Sequence, residues 1–568
     1  MNDATFDRRD GAGSTPTWAW CALVFVVAFA WMLGSGAIFD DQFNRIARGW
    51  HIWAYGESPF RDFRDPGYNL TLYASAAMQA VSGGSLLGEA MLDCGAIAVA
   101  VVLTFLMVVE VSRSATVGLV AVALMLSVAP RYYDYDKVLF YALGVLCCWR
   151  YIDRPSASRA VAAGVVAATA GLFRYDNGLV LAAAFLATLV ACRRHDRRAF
   201  VRESAAYVIA MMLAVLPFLI AWQSTIGLPE VWRQVTAYAA QEGARSPLLE
   251  PLTIVKGIEP FLAWIYAGSI LLLPVVAGSL AFHRQSDETF AKPVPKMLAT
   301  LVVSGLVAAV VLRNPIGARL GAAVPTATIL AAYLVGRWVP RRHLTTLSPR
   351  STALAIVTVA VVVAGVRAAR TLDEPSVAGI SRRVVGQAIG AIDGHIDALA
   401  AAPRGLTALP DRERYQGLVE YLRDCTPAGS RVLTTWFAPH LHFFAQRGFA
   451  GGMVVFLGQP WTSAVDQART VEQLESQDVS MALVESRRLA EFNADYDRVA
   501  GYLERHYRLA GVSSFSEPDA GRDTYRVLIP ASTIPDHTDA RWNLPCLVAP
   551  RSGTASRGEP GVLPGLVR

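Results

Sequence analysis

The chain has 568 residues, 54% of them hydrophobic and 17% charged, with a mean hydropathy of +0.36 and a formal net charge of +6. So apolar a composition excludes an ordinary soluble protein, and so many charges exclude a chain that lies wholly in a bilayer; a membrane part joined to a soluble part remains. The positive charge does not point to nucleic acid. Its arginines gather in short loops between hydrophobic segments, at Arg193, Arg194, Arg197, Arg198 and Arg202 and again at Arg337, Arg341, Arg342 and Arg350, which is the positive-inside pattern of cytoplasmic loops.

The first hydrophobic segment, 17–38, predicts a membrane span. It is too long for a signal-peptide core and lacks a cleavage site, so it reads as a retained signal anchor with Arg8 and Arg9 on the cytoplasmic side. Asp40 and Asp41 follow at once, and 39–67 reads as a polar, aromatic outer loop. Ionised carboxylates are costly near hydrocarbon, so a pair held at a membrane face marks a candidate functional site; the plainer alternative is a solvated loop start.

Further spans are predicted near 88–111, 115–130, 137–152, 157–173, 177–192, 203–226, 259–281, 297–312, 319–338 and 351–369. The apolar stretch 68–84 decides the parity. The Arg-rich loops 150–159, 193–202, 282–296 and 339–350 all fall inside only if 68–84 lies in the outer interface instead of crossing. About eleven spans result. The outer face then receives Asp40, Asp41, the segment Arg131 to Lys137, the turn Arg174-Tyr175-Asp176-Asn177, the loop 228–258, and the turn Arg313 to Arg319. A transporter more often sets its ionisable groups near the midplane in inverted repeats, and no such repeat is visible.

From about 371 the composition changes. An amphipathic helix is predicted over 380–400. Strands are expected over 431–437, 453–457, 481–485, 508–515 and 525–530, alternating with helices over 440–447, 463–476 and 487–506. That alternation predicts a small extracytoplasmic α/β domain over 371–530, with 531–568 a loosely ordered tail. Cys21, Cys94, Cys147, Cys148 and Cys192 lie in or beside hydrophobic segments without metal spacing and read as packing residues. Cys425 and Cys546 lie in the soluble part, where a disulfide is open to them if that part is outside the cytoplasm. His440 and His442 are spaced poorly for a metal and read as packing or surface residues.

The order of the motifs carries a resemblance. A first span is followed by the acid pair, then Gly56, Pro59-Phe60-Arg61-Asp62-Phe63 and Asp65-Pro66-Gly67-Tyr68 leading into an interfacial helix. Over roughly 17–340 this resembles the GT-C superfamily of integral membrane glycosyltransferases, closest to those related to the aminoarabinose transferase of lipid A and to the protein O-mannosyltransferases. The stretch from Tyr421 to Leu433, followed by Ala445-Gln446-Arg447, is similar to the extracytoplasmic domain of such proteins.

The resemblance implies a polytopic α-helical GT-C module at 1–370 and a sugar donor linked to polyprenyl phosphate. It implies transfer with inversion to a cell-envelope acceptor on the periplasmic face of a bacterial inner membrane, with the N-terminus cytoplasmic. The family's acid in the first outer loop corresponds to Asp41, about fifteen residues before Gly56, with Asp40 second; it serves as general base or anchors the acceptor. Asp134 or Asp136 is expected to complete the site. Arg174, Lys137, Arg313, Arg319 and Arg131 are the cations from which a phosphate-binding group is expected, and the sequence does not choose among them. The family's usual His-Pro-Pro-Leu stretch is Asp65-Pro66-Gly67-Tyr68 here. No cofactor is required, although the outer acids can accommodate a divalent metal. The alternative is a non-enzymatic transporter or envelope-assembly protein of the same fold.

Overall fold

The computed structural model describes residues 17–35, 38, 40–128, 131–244, 260–282, 293–313, 319–338, 393–515 and 523–549. The chain divides into two compact units, Met1–Ala408 and Leu409–Arg568, each taken by itself below.

The first unit is helical. In chain order its helices are α1 (Thr17–Ser35), α2 (Asp40–Tyr55), α3 (Asn69–Ser82), α4 (Leu86–Ser112), α5 (Ala115–Val128), α6 (Tyr135–Asp153), α7 (Ala157–Phe173), α8 (Tyr175–Arg193), α9 (Arg197–Thr225), α10 (Leu228–Ala244), α11 (Pro260–Phe282), α12 (Pro293–Arg313) and α13 (Leu320–Trp338). Among the described residues, α4, α8, α9 and α13 are each long and apolar enough to cross a membrane, and α1, α5, α7, α11 and α12 contain shorter apolar stretches. The expected span 351–369 lies outside the described residues, as does the first part of the expected helix 380–400, of which 393–401 is helical.

The outer loop expected over 39–67 is largely a helix. Asp40 and Asp41 are the first residues of α2, and the exposed Asp41 carboxylate complements the positive end of a helix dipole. Phe43, Ile46 and Ala47 then recur at helical spacing and are fully buried, which is the packing that makes a strongly polar segment helical. Gly56 ends it with a φ of +65°. This helix runs against α3 at very close range, for a Cβ on Gly49 would lie 2.4 Å from Ser75 Oγ.

A buried polar network clamps α2 and α3 onto the first turns of α4. Arg45 donates to both oxygens of Asp93 at 2.8 and 3.0 Å and to Glu89 at 3.3 Å. Gln42 also donates to Asp93, at 2.5 Å, and Gln79 donates to Glu89 and to the Ile46 carbonyl at 3.2 and 2.9 Å. Ser75 hydrogen-bonds Glu89.

A second set of ion pairs sits at the opposite ends of the helices. Lys296 of α12 reaches Glu110 at the end of α4 and Asp153 at the end of α6, the latter at 2.6 Å. Arg193 of α8 donates to the buried Glu203 of α9 at 2.8 Å, joined by Tyr151. The ends of α6, α8 and α9 that carry this set also carry Arg150, Arg194, Arg197, Arg198 and Arg202.

The second unit holds a five-stranded sheet, ordered β2-β1-β3-β5-β4. Its strands are β1 (Arg431–Thr434), β2 (Gly448–Phe449), β3 (Val479–Glu485), β4 (Tyr507–Ser513) and β5 (Tyr525–Pro530). β1 pairs in parallel with β2 and β3, whereas β5 is antiparallel to β3 and β4. β3 is buried along its whole length, as a central strand covered on both faces must be. The strand expected over 453–457 is absent; its neighbour β2 takes the edge of the sheet, and 453–457 is buried coil. The helix expected over 487–506 is two, Leu489–Asp495 and Asp497–His506. Within the stretch expected as a tail, β6 (His537–Asp539) and β7 (Leu544–Cys546) form a hairpin, and a disulfide joins Cys546 to Cys425.

Candidate active site

The site is built on one face of α2. Asp41, Arg45 and Arg48 stand at i, i+4 and i+7, which places them in one row along the helix. Arg45 is committed to Asp93 and Glu89. Asp41 lies at the exposed start of the row, 3.9 Å from Arg131 on the segment leading into α6. That segment is anchored where Tyr132 donates to the Met32 carbonyl of α1 at 2.6 Å, and a single 3-10 turn, Tyr132–Asp134, then runs straight into α6.

The acids of this segment are buried and partnered. Asp134 pairs with Lys137 one turn along, at 3.0 Å. Asp136 accepts a hydrogen bond from Asn177 Nδ2 at 3.0 Å and lies 3.9 Å from Arg174. Arg174 occupies the near-absent turn between α7 and α8, which two glycines draw together: a Cβ on Gly178 would lie 2.6 Å from the Gly171 Cα. Its guanidinium donates to both oxygens of Asp176, at 3.1 and 3.3 Å, and lies over the rings of Tyr68 and Tyr133 at 4.5 and 5.9 Å. Burial works against its charge, but the neighbouring Asp176 carboxylate wins and raises the Arg174 pKa further.

The sequence-predicted residues therefore divide. The structure brings Asp41, Arg131, Asp134, Asp136, Lys137 and Arg174 into one linked constellation. Arg319 is half-buried ahead of α13. The side chains of Asp40 and Arg313 lie outside the described residues.

Two residues not singled out by sequence stand at the centre. Arg48 is 5% exposed, and among the described residues it makes no hydrogen bond and no ion pair within 4.0 Å. Burial pulls its pKa down, opposed by the charge of Asp65, then by Tyr238, Tyr133 and Tyr68. Asp65 is fully buried. Its Oδ1 accepts from the backbone N–H of Gly67 and of Tyr68, both at 3.0 Å, while its Oδ2 accepts no hydrogen bond. Burial raises its carboxyl above the usual range, with Arg48 the main opposing influence. Burial likewise raises the Tyr68 and Tyr133 hydroxyls.

α10 packs against this group from above the Asp65 loop. Gln234 accepts from the Asp65 N–H at 3.2 Å and donates to the Phe60 carbonyl at 3.1 Å, and the Tyr238 ring meets Tyr68 edge-on at 6.1 Å. Elsewhere on α10, Arg233 pairs with Glu230 at 2.7 Å. In the second unit, His442 hydrogen-bonds Thr434 at 3.1 Å and His440 packs against the Tyr415 ring, both buried. Among the described residues the grouping with metal-ligand geometry is Cys425, Asp539 and Cys546, whose two sulfurs are already joined to each other.

A polytopic helical membrane protein with a small strand-containing C-terminal part is the class these observations define, and comparison with solved structures places it more narrowly. The crystal structure of ArnT from Cupriavidus metallidurans bound to undecaprenyl phosphate matches over 90% of this chain and 97% of its own, at 13% identity and a TM-score of 0.50. Its apo state matches over 90% and 98%, at 15% identity and a TM-score of 0.49. The archaeal oligosaccharyltransferase AglB from Archaeoglobus fulgidus matches over 90% and 74%, at 11% identity and a TM-score of 0.42. The chain shares the fold of ArnT. No family model and no curated protein matches it by sequence.

Proposed function

We propose that this protein is a membrane glycosyltransferase that moves a hexosyl or pentosyl unit from a polyprenyl-phosphate donor to a cell-envelope acceptor. The observation that carries this reading is the placement of the Asp41–Arg131–Asp136–Arg174 constellation on a fold also found in a protein crystallised with undecaprenyl phosphate. The constellation sits at the helix ends away from the arginine-rich ends of α6, α8 and α9, which supports a periplasmic site, a cytoplasmic N-terminus and a bacterial inner-membrane location.

In this mechanism a sugar phosphodiester enters from the bilayer. Asp41, exposed at the head of α2, takes the proton of the acceptor hydroxyl as its oxygen attacks the anomeric carbon. The bond from that carbon to the phosphate oxygen breaks, and polyprenyl phosphate leaves with the electron pair, inverting the centre. Asp40, the preceding residue in the chain, is the second candidate for this role. Arg131 orients Asp41 in the resting state, and Arg174, held by Asp176 and Asp136, faces the growing negative charge with a fixed positive one. The leaving group is already activated, so the step needs no cofactor.

Turnover of radiolabelled polyprenyl-phosphate sugars in membranes containing the wild-type chain or Asp41→Ala, with envelope extract as acceptor, tests the reading. Transfer by the wild type and its loss in a normally folded variant is the expected result. Transfer from no donor in a panel of sugars would move the protein to the non-enzymatic alternative.

A further inference from the structure

Arg48 poses a problem that the proposed mechanism leaves unsolved. A guanidinium removed from water costs several kcal/mol unless an anion and hydrogen-bond acceptors replace its hydration. Three nearby cations have carboxylate partners: Arg45 has Asp93 and Glu89, Lys137 has Asp134, and Arg174 has Asp176 and Asp136. Arg48 is as buried as these, yet among the described residues it makes no hydrogen bond and no ion pair, and its Nε is buried without an acceptor.

The nearest opposing charge does not fill the role. Asp65 is the carboxylate that acts most strongly on Arg48, but neither of its oxygens comes within 4.0 Å, and its Oδ2 is itself without a hydrogen bond. Asp65 Oδ1 is turned to its own loop, where it closes the Gly67–Tyr68 turn. A donor and an acceptor, both buried, thus stand near each other without joining. The other groups acting on Arg48 are the phenols of Tyr238, Tyr133 and Tyr68, all half-buried, and two of them lie beneath Arg174 as well. Arg48 and Arg174 therefore share one tyrosine cluster, the first unpaired and the second neutralised.

We propose that Arg48, with the hydroxyls of Tyr68, Tyr133 and Tyr238, is an oxyanion-binding group, and that it takes the phosphate of a lipid phosphate. The assignment rests on the glycosyltransferase reading for the identity of the lipid. Arginine suits the task because its planar fork gives two parallel charge-assisted hydrogen bonds to a phosphate, and the phenols add neutral donors around the same oxygens. Arg174 borders the same tyrosines, held by its carboxylates, and keeps its part in facing the charge that grows on the leaving phosphate.

The test uses the full-length protein in detergent and three probes: a polyprenyl phosphate, the polyprenol of the same length, and inorganic phosphate, with binding read from ligand-dependent thermal stabilisation. Wild-type protein is expected to prefer the polyprenyl phosphate over the polyprenol by about tenfold or more, and Arg48→Gln to lose that preference while still binding the tail. Arg48→Lys should restore part of it.

Asp65→Asn keeps Arg48 and removes the competing negative charge, so it should bind the polyprenyl phosphate at least as tightly as wild type; a purely structural Arg48–Asp65 pair would instead lose binding along with stability. An unchanged preference in folded Arg48→Gln overturns the assignment and leaves the glycosyltransferase reading standing. Absence of any phosphate preference in the wild type overturns both. Stabilisation by inorganic phosphate that depends on Arg48 and gains nothing from the lipid tail assigns the site to a soluble phosphate and overturns the lipid.

Discussion

Asn177 Nδ2 donates to Asp136 at 3.0 Å, and this one bond ties the first turn of α6 to the first turn of α8 beside Arg174. Both partners are buried, so removing either leaves an unsatisfied polar group in the protein interior. Asn177→Ala is expected to destabilise the protein by about 1–3 kcal/mol and to lower sugar transfer, because Arg174 loses a fixed neighbour. Thermal unfolding in detergent with a parallel turnover assay checks it; unchanged stability and turnover would show the bond to be dispensable.

The close approach of α2 to α3 leaves no room at Gly49. Gly49→Val places a Cβ 2.4 Å from Ser75 Oγ, and something must shift. Because α2 carries Asp41, Arg45 and Arg48, the displacement moves the site as a unit. The expected cost is about 1–3 kcal/mol of stability together with a fall in turnover. Gly49→Ala carries the same Cβ without the branched methyls and should be milder in both respects.

Arg45 holds two buried acids, Asp93 and Glu89. Arg45→Met keeps much of the side-chain volume but strands both carboxyls, and is expected to cost about 3–5 kcal/mol. The triple variant that also carries Asp93→Asn and Glu89→Gln removes the stranded charges and should recover a substantial part of the loss. If it recovers nothing, the contribution of Arg45 lies in its packing against the Tyr135 ring, 4.9 Å away.

Asp65 gives a pH dependence of defined sign. Burial raises its carboxyl above the usual 3.8, so the folded protein holds the proton more tightly than the unfolded chain. Stability from this group is therefore full at acid pH and falls as pH rises from 3.8 through the raised folded value. Asp65→Asn keeps an acceptor for the Gly67 and Tyr68 N–H groups but cannot ionise. Its stability relative to wild type should increase with pH across that window, measured as paired unfolding midpoints. A constant difference would show that Asp65 does not ionise differently on folding.

Much of the helical framework can be read from hydropathy. The predicted spans near 88–111, 157–173 and 177–192 coincide within a few residues with α4, α7 and α8, because continuous apolar runs bounded by arginines have few other stable solutions. The site was legible only in part. Asp41, Asp136 and Arg174 stand out as charges beside apolar runs. Arg45 and Arg48 look like ordinary polar residues of a loop until α2 is seen as a helix; the spacing of Phe43, Ile46 and Ala47 was the available signal. Asp65 appeared only as a departure from a family motif, and its burial depends on α10, some 170 residues later, which no local pattern announces. Glu89 and Asp93 were open to reading, as acids in the first turns of an apolar helix.

The bond between Cys425 and Cys546 joins residues 121 apart and so makes most of the second unit a covalent ring, with β1 to β6 inside it. A single proteolytic cut at any peptide bond between those cysteines opens the ring without releasing a fragment. The nicked protein would migrate as one species on a gel until a reductant is added and then separate into two. Cleavage between these two cysteines is therefore hidden from size measurements made without reduction, since the nick adds only one water to the whole, and an intact band is evidence of an intact backbone there only after the sulfur link has been broken.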